Sequence, residues 1–190
     1  MTEIRLCLMS CCAPCSIGAM VQCANRTAGD TDISDFIVLF YNPNIYPEDE
    51  YRRRLAEQIR LCKLMGIKYA VGYPENEHAR EHERWRECVR GLDDEPECGR
   101  RCAECLKMRI AWGACWARDH GYNALATVLG VSRHKDQGQV DDAARKACDK
   151  SVEVAYIPVQ WDEALRTAEI KRHKLYRQKY CGCEFSMGKR

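Results

Sequence analysis

The chain has 190 residues, of which 46% are hydrophobic and 31% are charged. One hydrophobic core serves a chain of this length, so we expect a single domain over residues 1–190 and no second large domain. No apolar run approaches the roughly 18 residues of a membrane span, and a formal net charge of +2 does not by itself indicate a nucleic-acid-binding protein.

The N-terminal residues MTEIRLCLMS lack the basic start, apolar stretch and cleavage site of a secretory signal, so the cytoplasm is the expected location. The chain contains 14 cysteines. A reducing compartment keeps most thiols free, which favours metal binding or redox chemistry over a framework of disulfides.

The hydrophobic pattern predicts strands that alternate with helices. In chain order, we expect a strand at 4–9, a helix at 14–26, a strand at 35–41, a helix at 47–66, a strand at 67–73, a helix at 78–89, a helix at 102–120, a strand at 124–129, a helix at 136–150 and a strand at 152–157. This alternation is typical of an α/β domain with a mainly parallel, Rossmann-like sheet flanked by helices.

The stretch SCCAPCS places Cys11, Cys12 and Cys15 between the first strand and the first helix. In a parallel sheet this position is the carboxyl edge, where ligands bind. Backbone N–H groups at a helix start also favour thiolate over thiol. The spacing therefore indicates working sulfur atoms.

Two further cysteine pairs occur far along the chain. Cys102 and Cys105 form a CxxC that shares one face of a helical turn, and Cys181 and Cys183 form a CxC. A lone CxxC is a weak signal because zinc sites, redox dithiols and iron–sulfur sites all use it. Together the three clusters offer seven thiols, more than one tetrahedral zinc or one four-iron cluster requires.

This surplus leaves two interpretations open: two metals in one pocket, or one cluster beside a redox thiol pair. We expect the isolated cysteines to be small buried hydrophobic residues. These are Cys7, Cys23, Cys62, Cys115 and Cys148, whereas Cys88 and Cys98 are intermediate cases.

Four motifs carry a resemblance to a known family: SCCAPCS, FYNPNIYPEDEYRRRL, RGLDDEPECGRRCAEC and LYRQKYCGCEFS. In this order and spacing the chain resembles the QueH-type epoxyqueuosine reductases from about Leu6 to Ser186. The resemblance implies an oxidoreductase that converts epoxyqueuosine to queuosine at the wobble position of tRNA. It also implies an iron–sulfur cluster, 4Fe-4S, with a nearby second iron, and an external electron donor.

The resemblance assigns metal ligands to seven positions and leaves their division between the two metals open. Six positions follow the family pattern directly, and Cys15, where an aspartate can stand, is a candidate ligand of the second iron. The implied ligands are Cys11, Cys12, Cys15, Cys102, Cys105, Cys181 and Cys183. A neighbouring iron would supply a second redox equivalent and act as a Lewis acid on the epoxide oxygen.

Two segments are candidate substrate-binding elements. The loop after the second strand offers Asn42 and Asn44 as polar groups, flanked by Tyr41 and Tyr46, whose rings could stack on an unpaired base. The other is a basic C-terminal segment, 171–190, with seven Lys or Arg and one acid, which we expect to return to the metal site.

Within the C-terminal segment, cations alternate with aromatic residues just before the CxC. This pattern suits the phosphates and unstacked bases of an anticodon loop. The candidate residues are Arg177, Gln178, Lys179 and Tyr180. The three arginines at 52–54 follow three acidic residues, so we expect helical ion pairs on a solvated surface there.

His134, Asp136 and Tyr41 are candidate proton donors. The main rival interpretation is a zinc-stabilised RNA-binding module without catalysis. The strand order also resembles nucleotide-binding enzymes that activate tRNA with ATP. However, the loop SCCAPCS contains no glycine, so we do not expect it to cradle a phosphate.

Overall fold

The structure is a computed structural model and describes residues 3–25, 27–28, 31–132, 135–151, 153–158, 160 and 162–187. Its strands are β1 (Ile4–Ser10), β2 (Thr27–Ala28), β3 (Thr31–Phe40), β4 (Lys68–Val71), β5 (Ala124–Thr127) and β6 (Ala155–Tyr156). Its helices are α1 (Ala13–Ala24), α2 (Glu48–Met65), α3 (His78–Cys88), α4 (Arg100–Asp119), α5 (Gln137–Lys150) and α6 (Glu163–Arg172). Two short 3-10 turns lie at Glu75–Glu77 and Glu184–Ser186.

Five strands form a parallel sheet in the order β4-β3-β1-β5-β6, and β2 pairs antiparallel with β3. The predicted α/β class and parallel sheet are confirmed. Successive strands run outward from β1 in one direction up to β4, and the chain then crosses to β5 on the other side. The crevice between the carboxyl ends of β1 and β5 is therefore the topological switch point, where open α/β sheets bind ligands.

The centre of the sheet is β1, whose residues Leu6 to Met9 are at most 1% exposed. These residues are apolar without alternation because helices cover both faces of a parallel sheet. None of the helices in the described ranges combines the length and the hydropathy needed to cross a bilayer.

The predicted end of the long helix is confirmed at Gly66, which adopts φ 65° after α2, a left-handed conformation that glycine accepts without steric cost. Several elements differ from prediction. β2 was not predicted, and β6 covers two residues of the predicted strand at 152–157, of which residue 152 lies outside the described residues. β3 begins at Thr31 instead of residue 35, because its polar first residues pair with β2. Helix α6 was not predicted, since Ile170 is the one residue that it buries and its apolar periodicity is therefore weak.

Candidate metal centre

The first cysteine group occupies the connection between β1 and α1. Cys12 precedes the helix, and Pro14 lies in its first turn, where a missing N–H costs nothing. The Sγ atoms of Cys11, Cys12 and Cys15 all lie within 4.8 Å of one another, and those of Cys11 and Cys12 are 3.9 Å apart. All three residues are buried. Among the described residues, this is the one trio of potential ligands with such close donor atoms.

Neighbouring groups distribute charge unequally over this trio. Hydrogen bonds from the Cys12 and Cys15 thiols, helped by the charges of Lys135 and Arg109, hold the pKa of Cys11 well below its ordinary value. Burial, together with the neighbouring sulfur atoms, raises the pKa of Cys12. The trio therefore favours one thiolate, the form of cysteine that binds metals.

A buried polar network supports the loop from below. The Oε1 atom of Gln58 accepts hydrogen bonds from Ser10 Oγ at 2.7 Å and from Ser16 Oγ at 3.0 Å. Asn42 Nδ2 donates to the Ser10 carbonyl at 2.9 Å, and Arg109 donates to Asn42 Oδ1. Because Ser10, Asn42 and Gln58 each hydrogen-bond to two partners, the three thiols have a fixed support.

The second cysteine group lines a small cavity. Cys102 and Cys105 reach it from the first turns of α4, and Cys181 and Cys183 reach it from the C-terminal segment. The hydrogen bond with Cys183 and the charges of Lys135 and Arg109 lower the pKa of Cys181 well below its ordinary value. Each cysteine group thus has one sulfur that favours the charged form.

Buried arginines near the two cysteine groups keep N–H groups without hydrogen-bond partners among the described residues. Arg101 and Arg109 are each 1% exposed. Two guanidinium nitrogens of each, and the side-chain oxygen of Asn44, have no hydrogen-bond partner in the part of the chain that the structure describes. Arg101 and Asn44 line the four-cysteine cavity itself. Unpaired buried cations around thiolates fit an anionic metal–thiolate group, which would offset their charge.

Arg54 fixes the C-terminal cysteine segment to α2. Its Nε donates to Glu50 Oε1 at 2.7 Å, its Nη1 to the Cys181 carbonyl at 3.0 Å, and its Nη2 to the Tyr180 carbonyl at 3.2 Å. The prediction of a solvated surface at 52–54 was wrong for this residue, which is 1% exposed. The predicted helical ion pairs do form, between Arg52 and Glu48 and between Arg54 and Glu50.

Lys135 connects the two cysteine groups. It lines the small four-cysteine cavity and also a larger cavity that Cys15 lines. Although its burial disfavours the charge, the thiolates of Cys181, Cys105 and Cys11 raise the pKa of its ammonium group above the ordinary value. A single cation therefore serves sulfur atoms from both groups.

In the loop after β3, three of the four predicted substrate-binding residues are buried. Tyr41 is 1% exposed and its ring stacks on Trp112 at 3.9 Å, so neither ring face is open to a base. Asn42 and Asn44 are buried beside the cysteines, where they support the site instead of facing solvent. Tyr46 is 43% exposed and keeps an accessible ring.

The candidate residues of the C-terminal segment divide by exposure. Arg177 and Lys179 are exposed, whereas Gln178 and Tyr180 are half-buried. Gln178 Nε2 donates to Cys15 Sγ at 3.4 Å. Tyr180 lies against Arg54, with the guanidinium carbon 5.3 Å from the ring centroid.

The three candidate proton donors lie in different environments or outside the described residues. Tyr41 is buried in the aromatic core. Asp136 caps α5 by accepting from the Gln139 N–H at 2.8 Å. His134 lies outside the described residues.

Sequence reasoning missed the buried cations and α6. One signal was available for Arg109, which follows Cys102 and Cys105 on the same helix face at positions i, i+3 and i+7. For Arg54, the spacing of four residues from Glu50 indicated the ion pair but not its burial.

The isolated cysteines are mostly buried, as expected: Cys7, Cys23, Cys62 and Cys148 are buried, and Cys115 is exposed. Of the intermediate cases, Cys88 is exposed and Cys98 is half-buried.

The fold and the cysteine groups define a class: a Rossmann-like α/β protein with a cysteine cluster that could bind metal at the carboxyl edge of its sheet. The family profile described as epoxyqueuosine reductase QueH matches residues 6–189. The chain therefore belongs to the QueH family, as the sequence motifs predicted.

Curated relatives agree with this assignment. Proteins named epoxyqueuosine reductase QueH from Histophilus somni and Haemophilus influenzae are 36% and 37% identical over 187 residues, covering 96% of this chain and 72% and 71% of theirs. The protein of the same name from Acinetobacter baylyi is 34% identical, covering 96% of this chain and 80% of its own.

Proposed function

We propose that this chain reduces the epoxide of epoxyqueuosine at the wobble position of tRNA to the alkene of queuosine, the last step of queuosine biosynthesis. Two observations support the proposal in a member of the QueH family: Cys11, Cys12 and Cys15 lie together at the switch point of the sheet, and Cys102, Cys105, Cys181 and Cys183 line one cavity that shares Lys135 with the first group. The whole chain, 1–190, would then be one catalytic domain, with segment 171–190 supplying part of the metal site.

The cofactors in this proposal are a 4Fe-4S cluster and a second iron. The four cysteines that line the small cavity, at positions 102, 105, 181 and 183, provide the usual number of thiolates for a cluster. In the trio of Cys11, Cys12 and Cys15, one sulfur pair is 3.9 Å apart and all pairs are within 4.8 Å, compared with the roughly 3.8 Å that a single tetrahedral ion imposes on ligands at about 2.3 Å. We therefore assign the trio to the second iron.

The chemistry requires two electrons and two protons for each epoxide, whose oxygen leaves as water. When bound, the metal group supplies electrons one at a time and polarises the epoxide oxygen. The protein's own residues hold the thiolates in place: Gln58 supports the first loop, Arg54 fixes the second, and Lys135 contributes positive charge between them.

The partners in this proposal are a tRNA and an external electron donor. Arg177 and Lys179 are exposed cations next to Cys15's hydrogen-bonding partner Gln178, which supports their role in holding the RNA backbone near the site. Because the proposed substrate is a tRNA, we place the reaction in the cytoplasm.

Iron and acid-labile sulfide analysis of anaerobically purified protein tests the cofactor. We expect iron and sulfide in the wild type, loss of both in Cys181→Ala, and unchanged amounts in Cys23→Ala, a buried cysteine outside both groups. Protein that contains zinc alone, without visible absorption, would support the rival zinc-stabilised RNA-binding module, because zinc has a filled d shell.

A further inference from the structure

A large cavity lies against the outer side of the first cysteine group. It has a volume of about 810 Å³. It is lined by Pro14 and Cys15 at the start of α1, by residues after β5, by residues of α6 and by segment 177–179. Its position at the carboxyl edge between β1 and β5 is the ligand crevice of the fold.

The lining is mainly basic. Four cations, Lys135, Arg166, Arg177 and Lys179, face one carboxylate, that of Glu163. Arg166 is already engaged, since its Nε lies 2.8 Å from Glu163 Oε2 and its Nη1 donates to the Pro14 carbonyl at 3.3 Å. Arg166 and Glu163 thus form a fixed pair, and Lys135 serves the cysteine sulfur atoms, whereas Arg177 and Lys179 are available to a ligand.

The cations are graded from the inner end of the cavity to its mouth. Lys135 is half-buried beside Cys15, and Arg177 and Lys179 are exposed at the mouth. Neither of the latter two forms an ion pair within the described ranges of the chain. A phosphate chain that continues into solvent would meet exposed cations at the mouth and reach the sulfur atoms at the inner end.

The volume of the cavity limits the size of the ligand that it can hold. Pockets for small molecules span roughly 300–1,000 Å³, so this cavity suits a single nucleotide and not a duplex. No aromatic ring appears among its described lining residues, so the base would lie against Pro14, Val131 and Ile170 or a guanidinium plane. Enzymes that modify a base commonly take it out of the stack into such a pocket.

We propose that this cavity binds one unpaired nucleotide of an RNA loop, with its backbone phosphates at Arg177 and Lys179 and its base directed toward Cys15. This inference rests on the proposed function and deepens it by assigning the substrate nucleotide to the cavity beside α6. Of the two substrate-binding segments that the sequence suggested, it uses the C-terminal one and not the loop after β3.

Equilibrium binding of a fluorescently labelled synthetic anticodon stem-loop, unmodified and without reductant, tests the cavity. Neutralising both mouth cations, Arg177→Gln with Lys179→Gln, should weaken affinity by about tenfold or more. The slope of log affinity against log salt should become shallower by about 1.4, at roughly 0.7 for each lost contact with single-stranded phosphate.

The matched control neutralises Lys171 and Arg172, two exposed cations of the same segment that do not line the cavity. Its affinity should stay within about twofold of the wild type, since it keeps the phosphate contacts. Equal losses in both double variants would overturn the proposal in favour of a diffuse basic tail, and no loss in either would overturn it outright.

Filling the cavity provides a second, charge-independent test. Ser132→Phe, at a half-buried lining position, should weaken stem-loop binding, whereas Ala56→Phe on the exposed face of α2 should not. A duplex should compete poorly with the stem-loop; equal competition would contradict a single-nucleotide pocket. These assays need no turnover, so a wild type that binds as described but never reduces epoxyqueuosine would refute the proposed function alone.

Discussion

The buried guanidinium of Arg54 gives the sharpest test of how the C-terminal cysteines are held. We consider Arg54→Met, which keeps a long apolar side chain and removes the charge. The change leaves the Glu50 carboxylate, whose side chain is 10% exposed, without its cation. It also frees the carbonyls of Cys181 and Tyr180, to which Arg54 donates at 3.0 and 3.2 Å.

The size of the effect follows from this geometry. Removing one partner of a buried ion pair costs about 3–5 kcal/mol, because the other charge stays buried. Tyr176 Oη still donates to Glu50 at 3.0 Å, which favours the lower part of that range. Replacing Glu50 by Gln in the same chain should recover part of the loss, since no uncompensated charge then remains.

Denaturant unfolding of the metal-free protein measures this free energy, and metal analysis of the reconstituted protein measures the consequence for the site. Arg52→Met is the matched control, because Arg52 lies on the same helix, is 52% exposed and pairs with Glu48 four residues earlier. It should cost less than about 1 kcal/mol. Equal free energies of unfolding for the two variants, or full metal content in Arg54→Met, would refute the positioning role.

Three further outcomes are expected. Gly182→Ala should reduce metal content and stability, because Gly182 has φ 123° and an added Cβ would lie 2.8 Å from a guanidinium nitrogen of Arg54. The control is Gly91→Ala, at φ 77° with nothing within 4 Å of the added Cβ, which should show only the smaller cost of backbone strain. In alkylation at pH 8 read by mass spectrometry, exposed Cys115 should react while Cys23, whose pKa burial raises to about 12, stays unmodified; rapid labelling of Cys23 would contradict its burial. Burial lowers the pKa of His78, so the unfolded chain binds a proton at this residue more readily than the folded chain, and the free energy of unfolding should fall as pH drops through roughly 6.5. His78→Gln should remove this loss of stability, and a variant with the same pH profile as the wild type would contradict the role of His78.

The sequence predicted the sheet and the cysteine positions because both depend on local signals. Continuous apolar runs produce buried parallel strands, and a cysteine after β1 must lie at the carboxyl edge. The sequence did not predict burial that depends on distant segments of the chain. Arg54 is buried because residues 180–181 fold over it, and nothing near it in sequence shows this.

The exposure of Tyr41 was predicted wrongly for a related reason. Tyr41 follows an apolar strand and precedes a polar loop, a context equally suited to a surface ring and to a core ring. In the structure Trp112 of α4 stacks on it, which makes it core. Helix α6 was missed because its single buried residue gives little periodicity, although Asp162 provides an N-cap signal by accepting from the Leu165 N–H at 2.9 Å.

The central claim is that the assembled cysteines reduce epoxyqueuosine in tRNA. The most direct measurement incubates anaerobically reconstituted protein and a one-electron reductant with tRNA that carries epoxyqueuosine, then quantifies its nucleosides by mass spectrometry. We expect conversion to queuosine by the wild type and by Cys23→Ala, and none by Cys181→Ala. Iron-loaded, folded wild-type protein that leaves epoxyqueuosine intact, or equal conversion by Cys181→Ala, would contradict the claim.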